Sequence, residues 1–342
     1  MNLYGQTLET LTTLVREAGE PAYRSRQIAE WLYAHHADSL EQMTNLPAAL
    51  RDRWKGTHEI AAPPPESAGV SSDGTAKYVW NSFEGETYES ALIPEKERLT
   101  LCVSSQAGCR IGCKFCLTAR GGLRDSLCAA EILGQYRNLP ERERVTHLVY
   151  MGMGEPLDNT HEVLRSLDVM TSDWGYGFSP RRITVSTVGI LPDLERLLDA
   201  SDVNVAVSLH AARREDRLPL VPSENRYPVA AIVELLRNRA QLALPPFTGT
   251  GRRRLSFEIT MLDGITDRPQ QAEAVRDLIH GIPARVNLIP WNPFPGAPYR
   301  PSRRSAIETF QSILKRAGIT TTVRESRGQD IGAACGLLAG AA

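Results

Sequence analysis

Near the start of the chain apolar residues recur at helical spacing. Ile28, Trp31 and Leu32, followed by Met43, Leu46, Leu50 and Trp54, predict an amphipathic helical unit over residues 1–58. The run Ala61-Ala-Pro-Pro-Pro-Glu66 cannot continue a helix and reads as a linker. Residues 77–80 and 88–93 then alternate in strand fashion, so 59–94 is expected to be a linker with a short antiparallel β extension. From residue 95 the rhythm changes again. Short β-rich runs at 101–105, 146–150, 182–186, 203–208, 255–260 and 285–289 alternate with helical stretches, the pattern of an α/β parallel sheet with crossover helices. Ile307, Phe310, Ile313 and Leu314 line one face of a last helix, with Ser305 to Glu308 reading as a capping box and Gly318 as its stop. A seventh strand is expected at 319–323. In such architectures chemistry gathers at the C-terminal ends of the strands.

Composition narrows the classes. Lys plus Arg (39) nearly cancels Asp plus Glu (40), which excludes a global basic field and leaves only local nucleic-acid contacts. Lysine occurs only at Lys55, Lys77, Lys96, Lys114 and Lys315, so positive charge is mostly guanidinium, suited to phosphate. The opening residues lack a basic and an apolar region, and no stretch is long and apolar enough to span a bilayer, so a cytoplasmic protein without membrane contact is expected. Six cysteines are too few for a disulfide scaffold in 342 residues.

Cys109, Cys113 and Cys116 form C-x3-C-x2-C after the first barrel strand. Three thiolates at this spacing suit three irons of a 4Fe–4S cluster and leave the fourth iron open to an outside ligand. A closed zinc site would need Cys102, Cys128 or His147 to complete it. Other candidates follow the strands. Met151-Gly-Met-Gly-Glu-Pro156 offers Gly154 for close backbone approach and Glu155 as acceptor for an amino group, although Glu155 also reads as an acidic residue opening a helix. Ser186 and the run Ser208, Leu209, His210 could bind carboxylate or ribose, or simply cap helices. Asn292, in the stiff loop 290–295, could read an adenine edge. Cys335, flanked by small residues, suits a nucleophile. Cys102 reads as a core residue and Cys128 as structural.

The cysteine loop resembles that of the radical S-adenosylmethionine (SAM) enzymes, in which SAM chelates the open iron and is cleaved to methionine and a 5'-deoxyadenosyl radical. Leu101-Cys-Val-Ser-Ser-Gln106, the 151–156 motif, Asn287 to Tyr299 and Ala-Ala-Cys335-Gly resemble, more closely, the RlmN family. Those enzymes methylate adenine C2 in 23S rRNA and in certain tRNAs. Pro21 to Gln27 is similar to the family's N-terminal RNA-binding domain. The resemblance implies a radical SAM partial (β/α)6 barrel over 95–342 ending in a catalytic cysteine segment, preceded by the helical domain and the β extension.

It also implies a route. Adenine C2 is too electron-poor to attack the SAM methyl directly, so Cys335 takes a methyl from one SAM and a second SAM supplies the radical that activates it. Cys102 then serves as base and as the thiolate that resolves the adduct through a disulfide, while Glu89 aligns with the family's proton acceptor; by itself Glu89 reads as a solvated strand carboxylate. An electron donor such as flavodoxin or ferredoxin and a monomeric state are expected. Gln329, Gly332 and Leu337 depart from the family's usual G-D-D-I-D-A-A-C-G-Q-L. Candidate phosphate contacts are Arg181-Arg182, Arg213-Arg214, Arg252 to Arg254 and Arg303-Arg304. The rival readings are a Cfr-like adenine C8 methyltransferase, an inactive RNA-binding paralogue with a structural cluster, and a zinc-stabilised RNA-binding module.

Overall fold

The computed structural model describes residues 1–241 and 253–340. The N-terminal unit contains α1 (Leu8–Glu17), α2 (Arg24–Ala29), which runs on through one π turn, and α3 (Ala48–Trp54). Thr7 starts α1 by accepting the Thr10 N–H at 3.3 Å. The residues picked out by helical spacing pack inward, with Ile28, Leu32, Met43, Leu46, Leu50 and Trp54 all buried. Each such aliphatic side chain contributes about 2 kcal/mol of burial.

Next come β1 (Ser67–Val70), β2 (Ala76–Asn81), β3 (Thr87–Glu95) and β4 (Arg98–Cys102), paired antiparallel in succession. The short ribbon β5 (Gln106–Gly108) and β6 (Leu123–Ser126) stands apart from the main sheet. After α4 (Ala129–Arg137), the βα units proceed through β7 (His147–Tyr150), α5 (Thr160–Thr171), β8 (Ile183–Thr187), α6 (Leu191–Ala200) and β9 (Asn204–Ser208). They continue with α7 (Arg214–Arg217), α8 (Val229–Gln241), β10 (Leu255–Met261), α9 (Pro269–Leu278), β11 (Arg285–Pro290), α10 (Arg304–Arg316) and β12 (Thr321–Val323).

One ten-stranded sheet results, in the order β1-β2-β3-β4-β7-β8-β9-β10-β11-β12. Pairing is parallel from β4 to β12, and each new strand joins the edge left by the last, as expected of a partial barrel built from βα units. The β extension is continuous with this barrel, because Ala91 to Glu95 of β3 pair with Cys102 to Arg98 of β4. Cys102, the 151–156 turn, Ser186, Ser208 and Asn292 therefore all come at or after the C-terminal ends of parallel strands.

Arg137 of α4 fastens the N-terminal unit to the barrel by donating to the carbonyls of His36 and Ala37 and to the Asp38 carboxylate. The capping box expected at Ser305 does not form. The backbone is already helical at Arg304, Arg303 occupies the cap position with no side-chain bond, and Glu308 pairs with Arg304 at 2.8 Å instead. Gly318 ends this helix with φ +77° as expected. No helix among the described residues is long and apolar enough to cross a membrane.

Candidate active site

The β5–β6 ribbon clamps the base of the cysteine loop. A Cβ at Gly108 (φ +83°) would lie 2.0 Å from the Gly122 carbonyl, and the next residue, Cys109, donates its N–H to that same oxygen at 2.8 Å. Further bonds shape the loop: Arg110 Nε to Asp158 at 2.7 Å, Lys114 N–H to the Leu220 carbonyl at 2.9 Å and Cys116 N–H to the Cys113 carbonyl at 3.2 Å. Cys109 is buried, Cys113 and Cys116 half-buried, and all three are free thiols. Burial pushes Cys109 up to about 12 and holds Cys113 well above the ordinary thiol value, with the neighbouring thiol charges adding to both. Thiols so placed lose their protons readily only beside bound positive charge.

Among the described residues no three Cys, His, Asp or Glu side chains converge where a single ion could be held. The possible fourth zinc ligands are engaged elsewhere. Cys128 caps α4 in a capping box with Glu131, His147 opens β7 at the far end of the sheet, and Cys102 packs against Ala91 and Ala333.

The strand ends form the adjoining wall. Gly152 and Gly154 are dictated by packing: a Cβ on the first would lie 2.6 Å from Ser104 Oγ, and on the second, at φ +101°, 2.6 Å from Gln106 Cβ. Glu155 is buried and accepts N–H bonds from Leu157 at 3.1 Å and Val188 at 2.9 Å. Burial pushes its carboxyl up to about 7 against the lowering effect of those bonds. Its carboxyl thus does what an acidic residue opening a helix does, and still presents the acceptor chemistry expected for an amino group.

Ser186 and Ser208 are half-buried at the ends of β8 and β9, and Leu209 is fully buried. His210, in the left-handed region (φ 57°), accepts from Thr260 N–H through Nδ1 at 3.2 Å. That bond leaves Nε2 as the donor. Burial lowers its pKa to about 3, so the ring is neutral at physiological pH. This loop is braced by Arg217, which had no signal in the sequence. Arg217 is fully buried and donates to the carbonyls of Ser208, Leu209 and Val188 while paired with Glu224. Arg217→Ala is expected to cost about 3–5 kcal/mol in urea unfolding, because it strands a buried carboxylate; replacing both partners with apolar residues should cost less.

The C-terminal segment lies across this mouth. Leu117 N–H donates to the Gly336 carbonyl at 2.8 Å, joining the residue after Cys116 to the residue after Cys335. Thr118 donates to the Leu338 carbonyl, and Asn292 Nδ2 to the Cys335 carbonyl at 3.0 Å. Cys335 is open to solvent on one side, yet enough protein surrounds its thiol that burial pushes it up to about 11, with the Cys116 charge second. Cys102 is buried against Ala333, and its thiol is pushed up to about 12 by burial first and by Cys335 second. The two cysteines expected to act together, 233 positions apart (335 − 102), are thus brought within electrostatic reach of one another.

Glu89 is also brought to this segment, through Ala339 rather than Cys335. It is buried, pairs with Lys77 at 3.1 Å and accepts the Ala339 N–H at 3.0 Å. The solvated carboxylate suggested by its strand pattern is therefore not what the fold makes of it. At the other end of the segment, Asp330 accepts from Ser71 Oγ (2.6 Å) and Ser72 N–H (3.1 Å), and Asp73 accepts from Gly328 N–H (2.8 Å). The β1–β2 turn is therefore the seat of the segment, a contact that no local pattern signals. Gly332, at φ +64°, faces Lys77 Nζ, 3.7 Å from where a Cβ would stand. An acid there could reach Lys77 only from a strained backbone.

Of the arginine candidates, Arg181-Arg182 and Arg253-Arg254 immediately precede strands and so lie at the end of the sheet away from the cysteines. Arg252 is outside the described residues, and Arg253 is tied to Asp202 and the Leu198 carbonyl. Arg213-Arg214 and Arg303-Arg304 follow strands, at the cysteine end, and are exposed.

Comparison with known proteins agrees with this geometry. Residues 103–274 match the radical SAM superfamily, and residues 1–60 match a ribosomal RNA large subunit methyltransferase N-terminal domain. The probable dual-specificity RNA methyltransferase RlmN of Porphyromonas gingivalis is 42% identical over 98% of this chain and 96% of its own length. The chain belongs to the RlmN family. The dual-specificity RNA methyltransferase RlmN of Marinobacter nauticus is 40% identical over 99% of this chain and 93% of its own. A crystal structure of a radical SAM methyltransferase from Sphaerobacter thermophilus superposes with a TM-score of 0.88 at 38% identity, covering 99% of both chains. The protein is accordingly a radical SAM RNA methyltransferase, and the superfamily's cofactors are SAM and a 4Fe–4S cluster.

Proposed function

We propose that the protein transfers a methyl group from SAM, by way of S-methyl-Cys335, to C2 of an adenosine in 23S rRNA and in tRNA, consuming two SAM molecules per turnover. The observation that carries this reading is the bond between Leu117 and Gly336, which holds Cys335 against the cysteine loop. Cys109, Cys113 and Cys116 would hold the cluster. Gly154, Glu155, Ser186, Ser208, Leu209, His210 and Asn292 would line the SAM pocket, with the neutral His210 offering an Nε2–H donor. Asn292 is in use by the Cys335 loop in this state, so its contact with adenine requires that loop to shift.

The resting thiols of Cys335 and Cys102 are protonated at neutral pH, as their raised values require. Approach of the SAM sulfonium cation favours release of the Cys335 thiol proton to solvent, and the thiolate attacks the methyl carbon and displaces S-adenosylhomocysteine. When bound, the cluster supplies the electron that splits a second SAM and so provides a hydrogen-abstracting radical. Cys335, its S-methyl group short of one hydrogen, bonds to adenine C2. Release requires loss of the C2 proton with one electron and rupture of the carbon–sulfur bond. With its own proton passed to Glu89, Cys102 takes the C2 proton while a one-electron carrier takes the electron. Deprotonated again, it attacks the Cys335 sulfur, and the carbon–sulfur electron pair stays on the methylene carbon, which takes up a proton to become methyl. A Cys102–Cys335 disulfide is left for a thiol reductant to reopen. Flavodoxin or ferredoxin as reductant, a cytoplasmic location and a monomeric state complete the proposal, with the N-terminal helices and the mouth-side arginines holding RNA phosphates.

Anaerobic incubation with SAM, a reductant and unmodified ribosomal RNA or tRNA, followed by nucleoside mass spectrometry, should yield 2-methyladenosine. Formation of 8-methyladenosine would support the C8 rival, and no SAM consumption the inactive one. In the reconstituted protein, SAM addition should change the iron spectrum, since SAM is expected on the open iron; an unchanged spectrum contradicts that contact.

A further inference from the structure

Gln329, one of the departures from the family pattern, has a specific partner. Its Nε2 donates to Asn292 Oδ1 at 2.6 Å, while Asn292 Nδ2 donates to the Cys335 carbonyl at 3.0 Å. Asn292 is 2% exposed, in a loop stiffened by Pro290, Pro293 and Pro295. The two bonds constrain one another. A backbone carbonyl only accepts, so the carboxamide must turn its NH2 toward Cys335. Its oxygen then faces residue 329, which has to provide a donor. Glutamine provides one, whereas an ionised carboxylate cannot. The Gly328 N–H bonded to Asp73 on one side of Gln329 and the Asp330 carboxylate bonded to Ser71 and Ser72 on the other hold the segment against the β1–β2 turn, which keeps the Gln329 amide within reach.

We propose that Gln329 is a positioning residue: by orienting the Asn292 carboxamide it holds the Cys335 loop over the barrel mouth and limits access to the thiol. The importance of that thiol rests on the methyl-carrier reading above. An acid at 329 would draw the Asn292 NH2 to itself and leave the Cys335 carbonyl facing an oxygen, which frees the loop.

The test is iodoacetamide alkylation of the SAM-free, cluster-loaded protein under anaerobic conditions, followed at each cysteine by peptide mass spectrometry. Gln329→Glu and Gln329→Ala should each raise the Cys335 rate about fivefold, the equivalent of one net hydrogen bond. The rate at Cys128, which lies on α4 away from this segment, and the Tm should not move, which separates this role from general loosening. Asn292→Ala should produce the same rise, and adding Gln329→Ala to it should produce no more. No rise at Cys335 in either Gln329 variant, or independent increments in the double variant, would overturn the proposal. No methyl group is transferred in this measurement, so failure of the carrier reading appears separately, as RNA methylation that survives Cys335→Ala.

Discussion

Cys335→Ala is expected to abolish RNA methylation while leaving the cluster and SAM cleavage in place. The substitution removes one sulfur from a residue open to solvent, so its effect on folding should stay within about 0.5 kcal/mol. The bonds that hold the segment are made by the backbone at Cys335, Gly336, Leu338 and Ala339, and all survive loss of the side chain. Cys109, Cys113, Cys116 and the residues proposed for the SAM pocket are unchanged. What disappears is the only group in the proposed scheme that can take a methyl by displacement and then present it as a carbon radical. Methylation should fall below detection in nucleoside mass spectrometry while 5'-deoxyadenosine still forms. Methylation at the wild-type rate would refute the assignment of Cys335.

Cys102→Ala should instead let the reaction begin and prevent it from finishing. Cys102 packs with Ala91 and with Ala333, two residues before Cys335 (335 − 333), which brings its thiol to the segment whose sulfur it would attack. Without that thiol the carbon–sulfur bond to RNA has no nucleophile to break it. Shortening a side chain in this small apolar cluster costs about 1 kcal/mol, too little to unfold the barrel. The product should be RNA joined to protein, seen as a nuclease-sensitive shift on a denaturing gel. Absence of any such adduct, with methylation intact, would remove Cys102 from the scheme.

Both experiments concern thiols whose meaning was unequally visible in the chain. The 109–116 loop is legible because three cysteines at short, fixed intervals form a pattern, and intervals are what a sequence displays. Cys102 gave the opposite impression, that of a core residue, and its burial agrees; only its contact with Ala333 distinguishes it from an inert one. Gly154 suggests room for a ligand, yet its packing against Gln106 already requires a glycine there. Asn292 was read as a base-reading amide, and the fold engages both ends of that amide with the C-terminal segment. Arg217 and Lys77 carry no local signal, because a charged residue in isolation looks solvated and its burial depends on partners elsewhere in the chain.

The amino-acid sequence alone therefore determined the helical start, the alternation of strands and helices, the end of the sheet to which the candidate residues belong and the spacing of the three loop cysteines. These are properties of period and spacing, which act over a few residues. The tertiary structure decided that the β1–β2 turn seats the C-terminal segment, that Cys335 meets the cysteine loop and that Cys102 lies beside it. Such contacts depend on how the chain closes on itself over more than two hundred residues, and the side chains that make them carry no local mark of their partners.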